Sequence, residues 1–322
     1  MFGGSKMPYP GMDPSLINFV NTMAPKEGEM PYEGQPIEFR KKMAAKSAKL
    51  SLKRPESLAI KEHIFETPLG SVSARIYSPK ELDKPGPCLV YMHGGGWIIG
   101  DLNSHDSVCV DIAIEAQTVV IALEYGLSPE HKFPFALDQC EWIFSHVYEN
   151  ASKFNISPDF LSIGGDSAGG NLALACTLSL KNKEKALPFY QFLIYPCIGK
   201  DFDSPSYEKH ANAPFLDKKS MIWIWETYLK DAADYLNPLA FPLLEEDLSN
   251  LPQTIILNAE LDPLAHEGAE LAGKLIAAKV PTYHFEAKSL IHGFIRCRSE
   301  SPLAEKVFKN ICKHLEVINA NK

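Results

Sequence analysis

Four short stretches of this chain carry residue types whose spacing could do chemistry. Gly164-Gly165-Asp166-Ser167-Ala168-Gly169-Gly170 contains the pattern G-x-S-x-G, placed between an apolar run from Phe160 to Ile163 and a helical pattern starting at Ser167. A serine on a sharp strand-to-helix turn takes strained dihedrals, and glycine two positions to either side removes the Cβ atoms that would collide there. Its hydroxyl then stands above a helix N-terminus, where developing negative charge is favoured. His93-Gly94-Gly95-Gly96-Trp97 follows the apolar run from Cys88 to Met92. Consecutive glycines bare their backbone N–H groups, the donors that an oxyanion hole requires. Gly95 and Gly96 are the best such donors, with Gly94 beside them; Ala168, the residue after the serine, supplies another. His93 reads as a structural residue of this loop.

A serine hydroxyl needs a base, and the base needs an acid to orient it. The order expected for a strand–turn–helix serine is Ser, then Asp or Glu, then His. Asp262-Pro263-Leu264 lies just beyond the apolar run from Thr254 to Leu257, which sets Asp262 at a strand's C-terminal end. Glu260 is the rival acid, better suited to a salt bridge or a cap. Of the ten histidines, only His292, in Leu290-Ile291-His292-Gly293-Phe294, combines a loop after the last strand with a glycine that leaves room for an imidazole. The chemistry these groups could perform is attack on a carbonyl through an acyl-enzyme. Trp97, Phe215, Met221, Trp225 and Tyr228 are candidates for a substrate-binding wall, although aromatic residues at helical spacing also build cores.

These residues require a scaffold that brings strand ends to one rim. From residue 57 to 288 the chain alternates β-like and α-like segments, the pattern of a mostly parallel sheet covered by helices. Apolar runs at 74–77, 88–92, 118–123, 160–163, 190–195 and 254–257 predict strands buried on both faces, and a further short strand is expected at 282–285. Three-and-four spacing predicts helices over 136–148, 167–180, 267–278 and 304–317. Residues 1–56, with a Lys-rich stretch, and residues 200–250, rich in Asp, Pro and aromatics, break the alternation. They are expected to form a helical cap over one end of a catalytic domain spanning 57–322.

The 322 residues are 45% apolar and 22% charged, enough to build a large core. A net charge of −8 argues against a nucleic-acid partner. No apolar stretch approaches the ~20 residues that span a bilayer, and the start of the chain carries no apolar segment of the secretory type. Seven cysteines form no C-x-x-C pair, so free thiols in a reducing cytoplasm are expected.

Taken together, the four motifs resemble the hormone-sensitive lipase family of α/β-hydrolases, in its bacterial GDSAG esterase branch. Glu124-Tyr125-Gly126-Leu127-Ser128-Pro129-Glu130-His131 looks like a fifth family segment, with Gly126 and Ser128 standing where the family usually has Arg and Ala. That departure leaves the usual arginine's salt bridge without its residue. The resemblance implies an eight-stranded, mostly parallel sheet flanked by helices, with a helical cap. It further implies a Ser167–His292–Asp262 triad hydrolysing short-chain carboxylic esters without metal or cofactor. A homodimer through the strand near Thr282–Phe285 is expected by family analogy alone. An amide or formamide hydrolase of the same fold is the alternative, since both reactions share a tetrahedral intermediate. A non-catalytic ligand-binding relative would lack the histidine that is present here.

Overall fold

Alternation along single strands divides the core in two. Strand β3 (Gly86–Met92) is buried throughout, with Cys88, Val90 and Met92 in one apolar layer and Leu89 and Tyr91 in the other. The two layers lie on opposite faces because successive side chains of a strand point to opposite sides. The computed structural model describes residues 9–26, 29–47, 54–82 and 85–320.

Ahead of the sheet come α1 (Ile17–Met23) and α2 (Pro36–Ser47). The sheet begins with β1 (Leu58–Thr67), β2 (Gly70–Pro79) and β3, followed by α3 (Asp106–Glu115) and β4 (Val119–Glu124). Then come α4 (Phe135–Glu149), β5 (Ile156–Asp166), α5 (Ala168–Asn182) and β6 (Tyr190–Ile194). The chain continues through α6 (Pro205–Lys209), α7 (Lys218–Tyr228), β7 (Gln253–Leu261), α8 (Ala265–Ala277), β8 (Thr282–Ile291) and α9 (Pro302–Ala320). The strand order is β1-β2-β4-β3-β5-β6-β7-β8. The pairs β1–β2 and β2–β4 are antiparallel and the remaining pairs are parallel. One face packs against α4, α5 and α8; the other packs against α1, α3 and α9.

Two elements differ from expectation. The segment forming β1 carries Lys61, Glu62 and Glu66, and pairs on one side only, so it lacks the continuous apolar run of an inner strand. The segment forming α3 alternates Val108, Val110 and Ile112 with other residues, a strand-like spacing in sequence. It is helical because β3 and β4 are parallel neighbours and need a crossover on one face of the sheet. The last strand also runs beyond 285 to Ile291, which pairs with Leu261 and so sets residues 262 and 292 side by side.

All seven cysteines are buried and unpaired. Among the described residues, no helix is long and apolar enough to cross a membrane.

Candidate active site

The parallel strands β3, β5, β7 and β8 all end at one rim, where open α/β sheets place their ligands. His93, Ser167, Asp262 and His292 are the residues immediately after those strands. Ser167 has φ 55° and ψ −117°, the strained turn expected of it. The close packing around it explains its flanking glycines: a Cβ on residue 165 or 169 would overlap the Met92 carbonyl oxygen.

His292 Nδ1 lies 2.7 Å from Asp262 Oδ2, and His292 Nε2 lies 2.9 Å from Ser167 Oγ. With the Nδ1 proton donated to the carboxylate, Nε2 is free to accept from the serine hydroxyl. Asp262 is fully buried, and its other oxygen accepts the Leu264 N–H at 2.9 Å, so the carboxylate has one orientation. The Tyr195 ring lies against the imidazole, with centroids 4.5 Å apart. Glu260 is elsewhere: it accepts the Ser289 N–H at 2.8 Å and faces Lys288.

The glycine loop faces the same serine. Among the described residues, the N–H groups of Gly95, Gly96 and Ala168 have no acceptor. Gly95 has φ 127°, and a Cβ there would overlap the Ile99 carbonyl oxygen. Gly94 needs a correction, because its N–H is not free. It donates to Asp166 Oδ1 at 2.9 Å, which anchors the loop to the end of β5. Burial alone would push the Asp166 carboxyl up. Attraction to His105 and hydrogen bonds from His105, Tyr91 and Gly94 outweigh burial and hold the carboxyl down at about 2. His93 is a wall of the same loop, its Nδ1 bonded to the Gly94 carbonyl oxygen at 2.8 Å and its ring stacked on Tyr125. Burial, then the neighbouring His105, lowers its pKa to about 4, which keeps it neutral at pH 7.

The 124–131 segment ties this loop to the rest of the molecule. The Tyr125 hydroxyl donates to the His93 carbonyl oxygen at 2.6 Å, and Ser128 N–H donates to the Trp97 carbonyl oxygen at 2.7 Å. Gly126 sits under the stacked rings of His131 and Phe135, 4.1 Å apart, where a side chain would collide. A guanidinium nevertheless reaches Glu130, and it comes from α2. Arg40 pairs with both Glu130 oxygens at 2.9 and 2.7 Å and donates to the carbonyl oxygens of Ile98 and Ser128, each at 2.6 Å.

Ser167, His292 and Gly94–Gly96 border a cavity of about 90 Å³. Phe215 and Met221 line it as expected, but Trp97, Trp225 and Tyr228 do not. Trp97 stacks on Tyr228 at 4.0 Å and leans on Trp225 at 4.7 Å, forming a buried cluster behind the loop. Trp225 and Tyr228 belong to the core face of α7, and beside Met221 the cavity wall is built from Trp223, Ile224 and, across the gap, Phe39 and Met43 of α2. These, with Ile98 and Ile99, were missed, since nothing local in sequence points residues 39 and 43 toward residue 167. Arg296 is the cation on this wall.

Glu267, in the first turn of α8, is a further buried group that sequence reasoning passed over. Its Oε2 accepts the N–H groups of Ile198 and Gly199 at 2.6 and 2.7 Å, holding the loop after β6 against the rim. Burial pushes its carboxyl up to about 8.

Residues 89–296 match the family model described as the alpha/beta hydrolase fold. This chain is an α/β-hydrolase of the hormone-sensitive lipase-like family. It is 32% identical to an arylesterase of Saccharolobus solfataricus, over 88% of this chain and 92% of that protein. It is also 32% identical to an ethyl acetate hydrolase of Pseudomonas putida, over 81% of this chain and 84% of that one. Among solved structures, an ester hydrolase from the metagenome of Lake Arreo superimposes with a TM-score of 0.89 at 30% identity, covering 95% of this α/β-hydrolase and 99% of the other chain.

Proposed function

We propose that this α/β-hydrolase is a serine carboxylesterase acting on short-chain carboxylic esters through Ser167, His292 and Asp262. The observation that carries the reading is the continuous hydrogen-bonded line from Asp262 through His292 to Ser167, at 2.7 and 2.9 Å, beside unpartnered N–H groups of a glycine loop. The esterase names of its relatives support the same reaction class. Ser167 Oγ attacks the ester carbonyl while His292 Nε2 takes its proton, and buried Asp262 stabilises the imidazolium. The tetrahedral oxyanion accepts from Gly95, Gly96 and Ala168, each donor lowering the barrier by ~3 kcal/mol. Ala168 also opens α5, so the positive end of the helix dipole adds to that stabilisation. His292 then protonates the leaving alcohol, and water, deprotonated by the same imidazole, releases the acid.

The narrow apolar cavity supports a preference for short acyl chains. In this reading residues 1–56 and the 200–250 insertion act as a cap, since α2 and α7 both border the cavity.

Ser167→Ala decides the assignment. Hydrolysis of 4-nitrophenyl butyrate is expected to fall by at least ~10³-fold, with an unchanged thermal melt. Full retained activity overturns the reading. A parallel assay on 4-nitrobutyranilide separates ester from amide cleavage, with the ester expected to be the faster substrate.

A further inference from the structure

The chain has five arginines. Arg40, Arg54, Arg75 and Arg298 each pair with a carboxylate at 2.6–2.9 Å. Arg296 is different: among the described residues no carboxylate oxygen lies within 4.0 Å of it. It follows β8 on the short turn Phe294–Arg296, four residues past His292, and borders the same cavity as Ser167 and the glycine loop. Its Nη2 donates to the Ser47 hydroxyl at 2.7 Å, while Nε is buried without a partner. Asp166 and Asp101 act on it only through space. Asp166 is already engaged by Tyr91 and Gly94. Asp101 and Glu124 border an adjoining cavity of about 280 Å³ that Arg296 also lines, together with Arg40 and Lys41.

A guanidinium stays charged at any ordinary pH, and an unpaired buried charge is costly unless a counter-charge reaches it. Asp166, His105 and Ser220 also border the cavity, with Asp166 and His105 bonded to each other, and the wall is otherwise apolar through Phe39, Met43, Phe215, Leu216 and Ile224. A cation with free donors on such a wall suits one kind of guest, an apolar body ending in a carboxylate, which a guanidinium can grip with paired hydrogen bonds.

We propose that Arg296 is a specificity residue that binds a carboxylate on the substrate. The preferred ester is anionic: a half-ester of a dicarboxylic acid, with the charge on the acyl part, or an ester of a hydroxy acid, with the charge on the alcohol part. This rests on the esterase reading above and names its substrate class.

Two matched pairs distinguish the sources of charge. Monoethyl adipate is set against the neutral ethyl adipamate, and 4-carboxyphenyl butyrate against 4-carbamoylphenyl butyrate. For the native protein, kcat/KM is expected to favour the carboxylate by ~10-fold or more in one pair, and that pair identifies the part of the ester that meets Arg296. Added salt is expected to narrow the preference. In Arg296→Gln the ratio is expected to fall to one or below while hydrolysis of the neutral ester persists; Arg296→Lys, a point charge lacking the planar fork, is expected to keep part of it. Hydrolysis of both neutral esters with no carboxylate preference in either pair overturns the proposal and leaves the esterase reading standing. So does a preference that survives Arg296→Gln. Failure to hydrolyse any of the four overturns the proposal, and it overturns the esterase reading as well when 4-nitrophenyl butyrate is also left intact. The ratio in the native protein decides even where a variant does not fold.

Discussion

Glu267 shows how far a single side chain can be displaced from its ordinary chemistry by its surroundings. It is buried, it holds two backbone N–H groups on one oxygen, and burial pushes its pKa up to about 8. An unfolded glutamate titrates near ~4.3. Between about pH 4.3 and 8 the folded chain therefore keeps a proton that the unfolded chain releases, so this residue's contribution falls as pH rises. Below that window the contribution is fully present, and above it no further loss accrues. Glu267→Gln keeps the acceptor oxygen without the titration. The variant's melting temperature relative to the native protein is expected to rise steadily from pH 5 to 8; a pH-independent difference would contradict the shift. Gly95 offers a second residue-level expectation. Its φ of 127° and the Ile99 carbonyl oxygen beside it leave no room for a methyl group. Gly95→Ala is expected to lower kcat for 4-nitrophenyl butyrate by ~10²–10³-fold through displaced oxyanion donors, with a smaller change in KM.

At the scale of elements, α2 is tied to the glycine loop through one side chain. Arg40 bonds Ile98 in that loop, Ser128 in the 124–131 segment, and Glu130. The ion pair is half exposed and contributes little by itself, whereas the bonds to two backbone carbonyls hold the segments in register. Arg40→Ala is expected to cost ~1–3 kcal/mol, read as a lower denaturation midpoint. Activity is expected to fall beyond the fraction unfolded, because the loop carrying Gly95 and Gly96 loses a support. Arg40→Lys, with one charged terminus, cannot reach all three acceptors at once and is expected to recover only part of either effect.

At the scale of the whole molecule, a single sheet delivers residues from β5, β7 and β8 to one rim, while segments before β1 and between β6 and β7 close the space above it. If that closure sets chain-length preference, removing residues 1–47 opens one wall of the cavity by deleting Phe39 and Met43. The truncated protein is expected to melt lower and to shift its preference among 4-nitrophenyl esters from butyrate toward longer chains. An unchanged preference would place the selectivity elsewhere.

Much of the site was legible because its constraints are local in the chain. A strained serine between close-packed glycines, a glycine run after a buried strand, and an aspartate and a histidine after later strands each announce themselves within a few residues. The inner strands were legible for the same reason, since burial on both faces writes an unbroken apolar run. The outer strand β1 and the crossover helix α3 were not, because pairing partners and connection handedness decide them rather than their own residues. Folding alone settled that the Gly94 N–H is taken by Asp166, that the aromatic stripe of α7 turns to the core, and that Arg40 of α2 brings a guanidinium to Glu130. The same is true of Arg296 facing the cavity wall. These facts depend on contacts between residues separated by scores of positions, whose geometry is absent until the chain packs.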